Sequence, residues 1–233
     1  MKIFQLIKEI NSLPKVKIKF TGCNKESISA YKRMYQHFTK RHRLKIIKNK
    51  TIGVGLIDLY EYENYEDFMK KHNGKNSMAY DTRKATKRGY KLIELDRNKY
   101  IDDIYDINTS MEERQGRKMS QSYLKKIDRY EDEDGYKYFG VINSEGKLVS
   151  YLHVLFAGEV AIVDVLLGHK EYQRDGIMLF MLASFYEIVF NEYKDRGYKY
   201  IMYDTFFGAS EGLQKFKKKS GYKAYKVVWV WDC

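Results

Sequence analysis

Hydrophobic and polar positions along this chain follow two periods. Residues 15–20, KVKIKF, alternate basic and apolar side chains, which predicts a half-buried strand. Residues 25–43 place Ile28, Tyr31, Met34, Tyr35 and Phe38 at helical spacing, with Lys32, Arg33, Lys40 and Arg43 on the other side. TIGVGLIDLY, residues 51–60, reads as a strand. A single helix is expected from about Tyr65 to a C-cap at Gly89. Beyond it the pattern is cleaner. YKLIELD (90–96) is a strand, and 98–108 and 120–131 are expected as two helices joined by SMEERQGRKM. Three strands follow in series: YKYFGVIN (136–143), LVSYLHVLF (148–156) and VAIVDVLLG (160–168). Their short glycine-containing links, at Gly146 and Gly158, have hairpin length. A long helix from about Gly176 to Lys194 carries Ile177, Phe180, Met181, Phe185 and Ile188 on one face and ends at Gly197. The pattern closes with the strand YKYIMYDTF (198–206), the helix EGLQKFKKKS and the strand YKAYKVVWVW (222–231). The expected class is therefore α/β in the α+β sense, with a mixed, mostly antiparallel central sheet and helices on both faces.

At 233 residues the chain is long enough for one large domain or two small ones. With 44% apolar and 32% charged residues it reads as a folded protein rather than a disordered one. Pro14 is the only proline, and no Ser/Gly-rich linker or short repeat divides the chain. No apolar run of membrane-spanning length occurs. The opening MKIFQLIKEI acquires Lys8 and Glu9 too early for a signal peptide, so a cytoplasmic location is expected. The two cysteines, Cys23 and Cys233, have no metal spacing and are expected as reduced thiols; no metal is expected.

Charge divides the chain more sharply than composition does. The net charge is +12, and residues 1–50 hold 14 Lys or Arg against only Glu9 and Glu26. The remaining residues are balanced, so the whole excess lies in the first fifth. Residues 1–89 are accordingly expected as a smaller, basic α/β region and 90–233 as the main domain. A basic segment over residues 15–50 attracts polyanions, RNA included, or is a solvated face; the sequence leaves both open.

Candidate chemistry gathers where the apolar strand 160–168 runs into HKEYQRDGIM, residues 169–178, and then into the long helix. Free amides of a first helical turn and its dipole suit an anion, and Gly176 lets backbone approach a pyrophosphate closely. This loop and the order of elements around it resemble the GNAT superfamily of N-acyltransferases, whose cofactor loop has the pattern Arg/Gln-x-x-Gly-x-Gly/Ala. Gln173 and Gly176 match that pattern, while Met178 stands where Gly or Ala is usual. The stretch Gly212 to Gly221, and more loosely Asp81 to Gly89, resembles the Fem-type branch, in which an aminoacyl-tRNA replaces acyl-CoA as donor. The resemblance covers residues 90–231 well and 1–89 poorly. Whether 1–89 is a separate domain or a decayed half of a two-lobed fold stays open.

The resemblance implies an acyltransferase that moves an acyl group from acyl-CoA, acetyl-CoA foremost, to an amine on a small or polymeric acceptor. An aminoacyl-tRNA donor, or a nucleic-acid-binding role for the basic segment, is the alternative. It implies donor contacts at Val165, Leu166 and Leu167 and at Gln173, Arg174, Asp175, Gly176, Ile177 and Met178. Asp164 interrupts an apolar strand, where a carboxylate is either paired or functional. By strict alternation it shares a face with Ile162 and Leu166. Asp164, His153 on the neighbouring strand and Tyr203 are the candidate catalytic residues. Arg114, Arg117 and Asp204 are candidate substrate contacts, the arginines because a guanidinium suits a carboxylate or phosphate.

Overall fold

The computed structural model describes residues 3–41, 48–74, 77–114 and 117–233. Its elements in chain order are α1 (Ile3–Ser12), β1 (Lys15–Phe20), α2 (Ile28–Thr39), β2 (Ile52–Asp58), α3 (Tyr65–Lys71), α4 (Met78–Lys87), β3 (Lys91–Glu94) and α5 (Ile101–Thr109). A small hairpin, β4 (Glu113–Arg114) with β5 (Arg117–Lys118), leads to α6 (Gln121–Leu124). Then come β6 (Tyr136–Ile142), β7 (Leu148–Ala157), β8 (Val160–Gly168), α7 (Ile177–Ile188), β9 (Tyr200–Thr205), α8 (Glu211–Lys219) and β10 (Lys223–Trp231).

Eight strands form one sheet in the order β1-β10-β2-β9-β8-β7-β6-β3. Among the described residues only the β1–β10 and β8–β9 pairs of this sheet are parallel. One face carries α7, α3 and α4, with Ile177, Met181, Phe185, Phe68 and Met78 buried against it. The other carries α2, through Tyr31, Met34 and Phe38, and α5, through Ile104 and Ile107. Edge strand β1 keeps Ile18 and Phe20 inward and Lys15 and Lys17 outward, as its alternation predicts.

Residues 1–89 contribute β1 and β2 to the same sheet as the rest of the chain, and β2 lies between β9 and β10. Several expectations need correction. The helix expected from Tyr65 to Gly89 is two helices, broken near Gly74 and each started by its own side-chain cap, Asn64 and Ser77. The helix expected over 120–131 is one turn, α6; the chain beyond it is irregular and returns Tyr130 to the core beside α5. Cys23 and Cys233 form a disulfide, with Cα atoms 5.5 Å apart, rather than two reduced thiols.

The glycines of β2 have a packing reason. A Cβ on Gly55 would lie 2.9 Å from the Tyr203 carbonyl oxygen of neighbouring β9. Gly55→Ala should therefore cost about 1–3 kcal/mol, as overpacking against backbone does. Gly212→Ala, with open space around it inside α8, should be neutral or slightly stabilising. Urea midpoints of the two variants check this; equal midpoints would refute the close approach.

Candidate functional site

The parallel strands β8 and β9 pair over three rungs only, Val160–Tyr200, Ala161–Ile201 and Ile162–Met202, and then part. A β-bulge on each strand lies at the parting. On β8, Val163 faces Val154 while Val165 already faces His153, so Asp164 is the extra residue. On β9, Met202 faces Leu56 and Thr205 faces Val54, so Tyr203 and Asp204 together oppose Gly55. An extra residue bends and twists its strand. Two facing bulges split the sheet and leave the β9-facing edge of Val165–Leu167 without a partner strand. Asp204 is also the one non-glycine residue with positive φ among the described residues, at 48°. Such a conformation is uncommon and tends to mark functional sites.

The Asp164 bulge corrects the expected face assignment. Asp164 opens with Ile162 toward the α2 face, but Leu166 is carried to the opposite face, against the α7 core. The split thus has a wall on each side of the sheet. On the α2 side lies a cavity of about 410 Å³, walled by α2, the split strands and the segment leading into α6. On the other side, between the start of α7 and α8, runs a channel of about 220 Å³ lined by Met111, Gln173, Met178, Gly212 and Phe216. Arg114, Leu166 and Tyr203 line both. Of the expected site residues, the structure brings Asp164, Val165, Leu166, Leu167, Tyr203, Asp204 and Arg114 together at the split.

Asp204 is ion-paired with Lys50. Burial pushes its carboxyl up, but Lys50, with Lys217 further off, holds it below the usual range. Asp164 is exposed and accepts a hydrogen bond from the Tyr136 hydroxyl at 3.0 Å. His153 points away from the split into a neighbouring chamber, and burial together with the Arg97 charge pulls its pKa down to about 3. It is therefore a neutral imidazole at ordinary pH and unsuited to act as a general base there. Arg114 is not free for an anion. Its guanidinium donates to the carbonyls of Gly168 at 2.9 Å and Ile107 at 2.7 Å, latching the end of β8 to α5. The side chain of Arg117 lies outside the described residues.

The loop expected to cradle a pyrophosphate is filled by protein. Gly176 has φ 83° and starts α7, as expected, but a Cβ on it would meet the Asp81 Cβ at 2.8 Å. Helix α4 lies across this corner. Asp81 pairs with Lys219 of α8 at 2.6 Å, and Lys84 donates to the Arg174 carbonyl. Asp175 is held by Arg88 and by the Tyr90 hydroxyl. Ile177 is buried in the core, and half-buried Met178 is turned in against Gly168. Gln173 donates weakly to the Gly168 carbonyl at 3.4 Å, and exposed Arg174 shows no side-chain bond among the described residues. The residues present do not fit the pyrophosphate of acyl-CoA at this corner, because a carboxylate already stands over the helix start.

One residue that sequence reading missed stands behind Tyr203. Lys217 of α8 is fully buried, donates to the Thr205 carbonyl at 2.7 Å and lies 5.0 Å from the Tyr203 ring centre. Burial lowers its pKa to about 8, with Asp204 opposing the shift. The signal was present: Lys217 sits at core spacing with Leu213 and Ser220 in a helix that is otherwise basic on the outside.

A parallel pair that opens into a split, inside a sheet clothed by helices on both faces, is the GNAT fold. Comparison with solved structures bears out the fold. The chain is similar to FemX at 14% identity and a TM-score of 0.56, covering 74% of this chain and 59% of that one. It is similar at a TM-score of 0.46 and 13% identity to the C-terminal domain of a putative lysylphosphatidylglycerol synthetase from Agrobacterium fabrum, covering 74% and 58%. A tandem GNAT protein from the clavulanic acid biosynthesis pathway gives 13% identity and 0.46, covering 88% and 57%. This chain thus spans about three fifths of the length of the structures it resembles. No family model and no curated protein matches it.

Proposed function

We propose that this protein is an N-acyltransferase that takes its acyl group from an ester carried on tRNA. The observation that carries the reading is the split between β8 and β9, open to a channel on one face and a cavity on the other. An activated carbonyl reaching the split from the α7–α8 channel meets unpaired backbone amides of β8, which suit a developing oxyanion. An amine arrives from the α2 side, where Asp164 and Tyr203 stand. Its nitrogen attacks the carbonyl carbon, the C–N bond forms and the ester C–O bond breaks. The electron pair leaves on the ribose oxygen, which ends with the proton the amine gives up.

The donor is argued from α4. A CoA thioester needs the corner that Asp81 occupies, whereas an aminoacyl ester needs only the channel and a basic rim. Arg174, Lys215 and Lys218 are exposed on the elements that wall the channel. The basic face of α2 lies on the other side of the sheet, so docking of RNA through residues 15–50 is a contact separate from the donor channel. Arg43 of that face lies outside the described residues.

Filter binding of a charged tRNA pool, against the same pool deacylated, tests the reading at about 0.1 M salt. The charged pool should bind at least about tenfold more tightly. Gly212→Trp fills the channel from a position with open space around it, so it should erase the difference and leave the deacylated affinity unchanged. Equal binding of the two pools, together with a raised thermal midpoint in acetyl-CoA, would return the donor to a CoA thioester.

A further inference from the structure

The channel between the start of α7 and α8 has a wall of largely one chemical kind. Met111, Leu166, Met178, Leu213 and Phe216 make up most of it. Among the described residues no aspartate or glutamate lines it. The carboxylates of the surrounding elements are already matched: Asp81 pairs with Lys219, Asp175 with Arg88, and Asp204 with Lys50. The cations nearby are equally committed. Arg114 spends its terminal nitrogens on the Gly168 and Ile107 carbonyls and on Ser110 Oγ at 3.3 Å. Its Nε has no partner but is shut off from solvent, so a ligand in the channel does not reach it. Lys217 is fully buried behind Tyr203, with its ammonium on the Thr205 carbonyl. Gln173 directs its amide nitrogen at the Met111 sulfur, 3.5 Å away, and at the Gly168 carbonyl, 3.4 Å away.

A charged group entering this channel leaves water without gaining a partner, a cost that burying its methylenes does not return. A lysine ammonium finds no carboxylate and stands in the field of Arg114 and Lys217. A glutamate carboxylate finds a guanidinium whose reachable N–H groups are taken. A glycyl group leaves the wall without contacts. Met111 and Met178 are unbranched and adapt to whatever aliphatic shape fills the space between them. Volume sets the upper limit. Sites that bury a drug-sized ligand start at about 300 Å³, so a channel of about 220 Å³ holds an aminoacyl group and leaves the nucleotide at the rim. We propose that this channel selects the donor by its side chain, taking an aminoacyl group with an uncharged aliphatic side chain of leucine or methionine size, and that Met178, Leu213 and Phe216 set the choice. The aminoacyl ester rests on the donor reading above; the preference for an aliphatic side chain does not.

Equilibrium binding of 3′-amino-3′-deoxyadenosine carrying leucine, glycine, lysine or glutamate in amide linkage tests it. The adenosine and the α-amino group are common to the series, so only the side chain is compared. The leucyl compound should bind at least about tenfold more tightly than each of the other three. Gly212→Leu narrows the channel from a position with open space around it, so it should erase the leucyl advantage over glycyl and keep the glycyl affinity. Leu213→Asp places a carboxylate in the wall, in the first turn of α8 where the helix dipole favours one, and should reverse the order of leucyl and lysyl. A smaller leucyl advantage over any of the three, or no leucyl binding by about 1 mM, would overturn the proposal. So would either variant that keeps both its thermal midpoint and the wild-type order. A leucyl advantage here, with charged and deacylated tRNA binding alike, would sink the donor reading and leave the channel's preference standing; the converse pair of results would sink the preference alone.

Discussion

Reduction of the Cys23–Cys233 disulfide should lower the unfolding free energy by about 5 kcal/mol. The two cysteines are 210 residues apart, so the bridge closes nearly the whole described chain into one loop. Loop-closure entropy grows with the logarithm of loop length, which places this bridge near the upper end of what a disulfide contributes. The bridge ties the loop after β1 to the residues after β10, two strands that are already paired, so the folded state gives up little to form it. Guanidinium melts with and without reductant check the expectation, and Cys233→Ser should reproduce the reduced midpoint. A reductant-independent midpoint would refute it.

Lys217→Met should stabilise the protein below pH 8 and lose that advantage as the pH rises to about 10. The pKa of Lys217 is lowered from 10.5 to about 8 in the fold. Between those values the unfolded chain binds the proton and the folded chain does not, so stability rises with pH. Below pH 8 both states are protonated and the full cost of a buried ammonium is present, about 3 kcal/mol for a shift of this size. Methionine keeps the volume and removes the charge, though it leaves the Thr205 carbonyl without its donor, which costs about 1 kcal/mol. The quantity to measure is the stability difference between wild type and variant from pH 7 to 10, since the many tyrosines titrate alike in both. A difference independent of pH would show that Lys217 is not depressed.

Local pattern carried most of the elements. The alternation in 15–20, the apolar stripe of α2, the three strands from Tyr136 and the start of α7 all lie where periodicity puts them, whereas the stretch from Val189 to Gly197 leaves the α-helical period. What failed depended on single residues or on partners far along the chain. The break between α3 and α4 depends on the C-cap at His72 and the side-chain cap at Ser77, neither of which periodicity shows. The β8 bulge was illegible because strict alternation assigns Leu166 to the face of Ile162, and only pairing with β7 shows the extra residue. The candidate site fared likewise. Asp164 was singled out as a break in an apolar strand and Tyr203 and Asp204 through the family resemblance, and the fold gathers them. Gly176 was read from its loop alone, whereas the residue that covers it, Asp81, arrives from a helix 95 positions earlier. Cys23 and Cys233 gave no spacing signal, because their proximity follows from β1 pairing with β10.

That last pairing sets an order of events for the growing chain. β1 has one neighbour in the sheet, and it is β10. During synthesis β1 therefore emerges with an apolar side, Ile18 and Phe20, and no strand to lie against until about 200 residues later. Its three lysines keep that waiting edge from pairing with another chain. The lysines of β1 thus guard an unpaired edge until β10 is made.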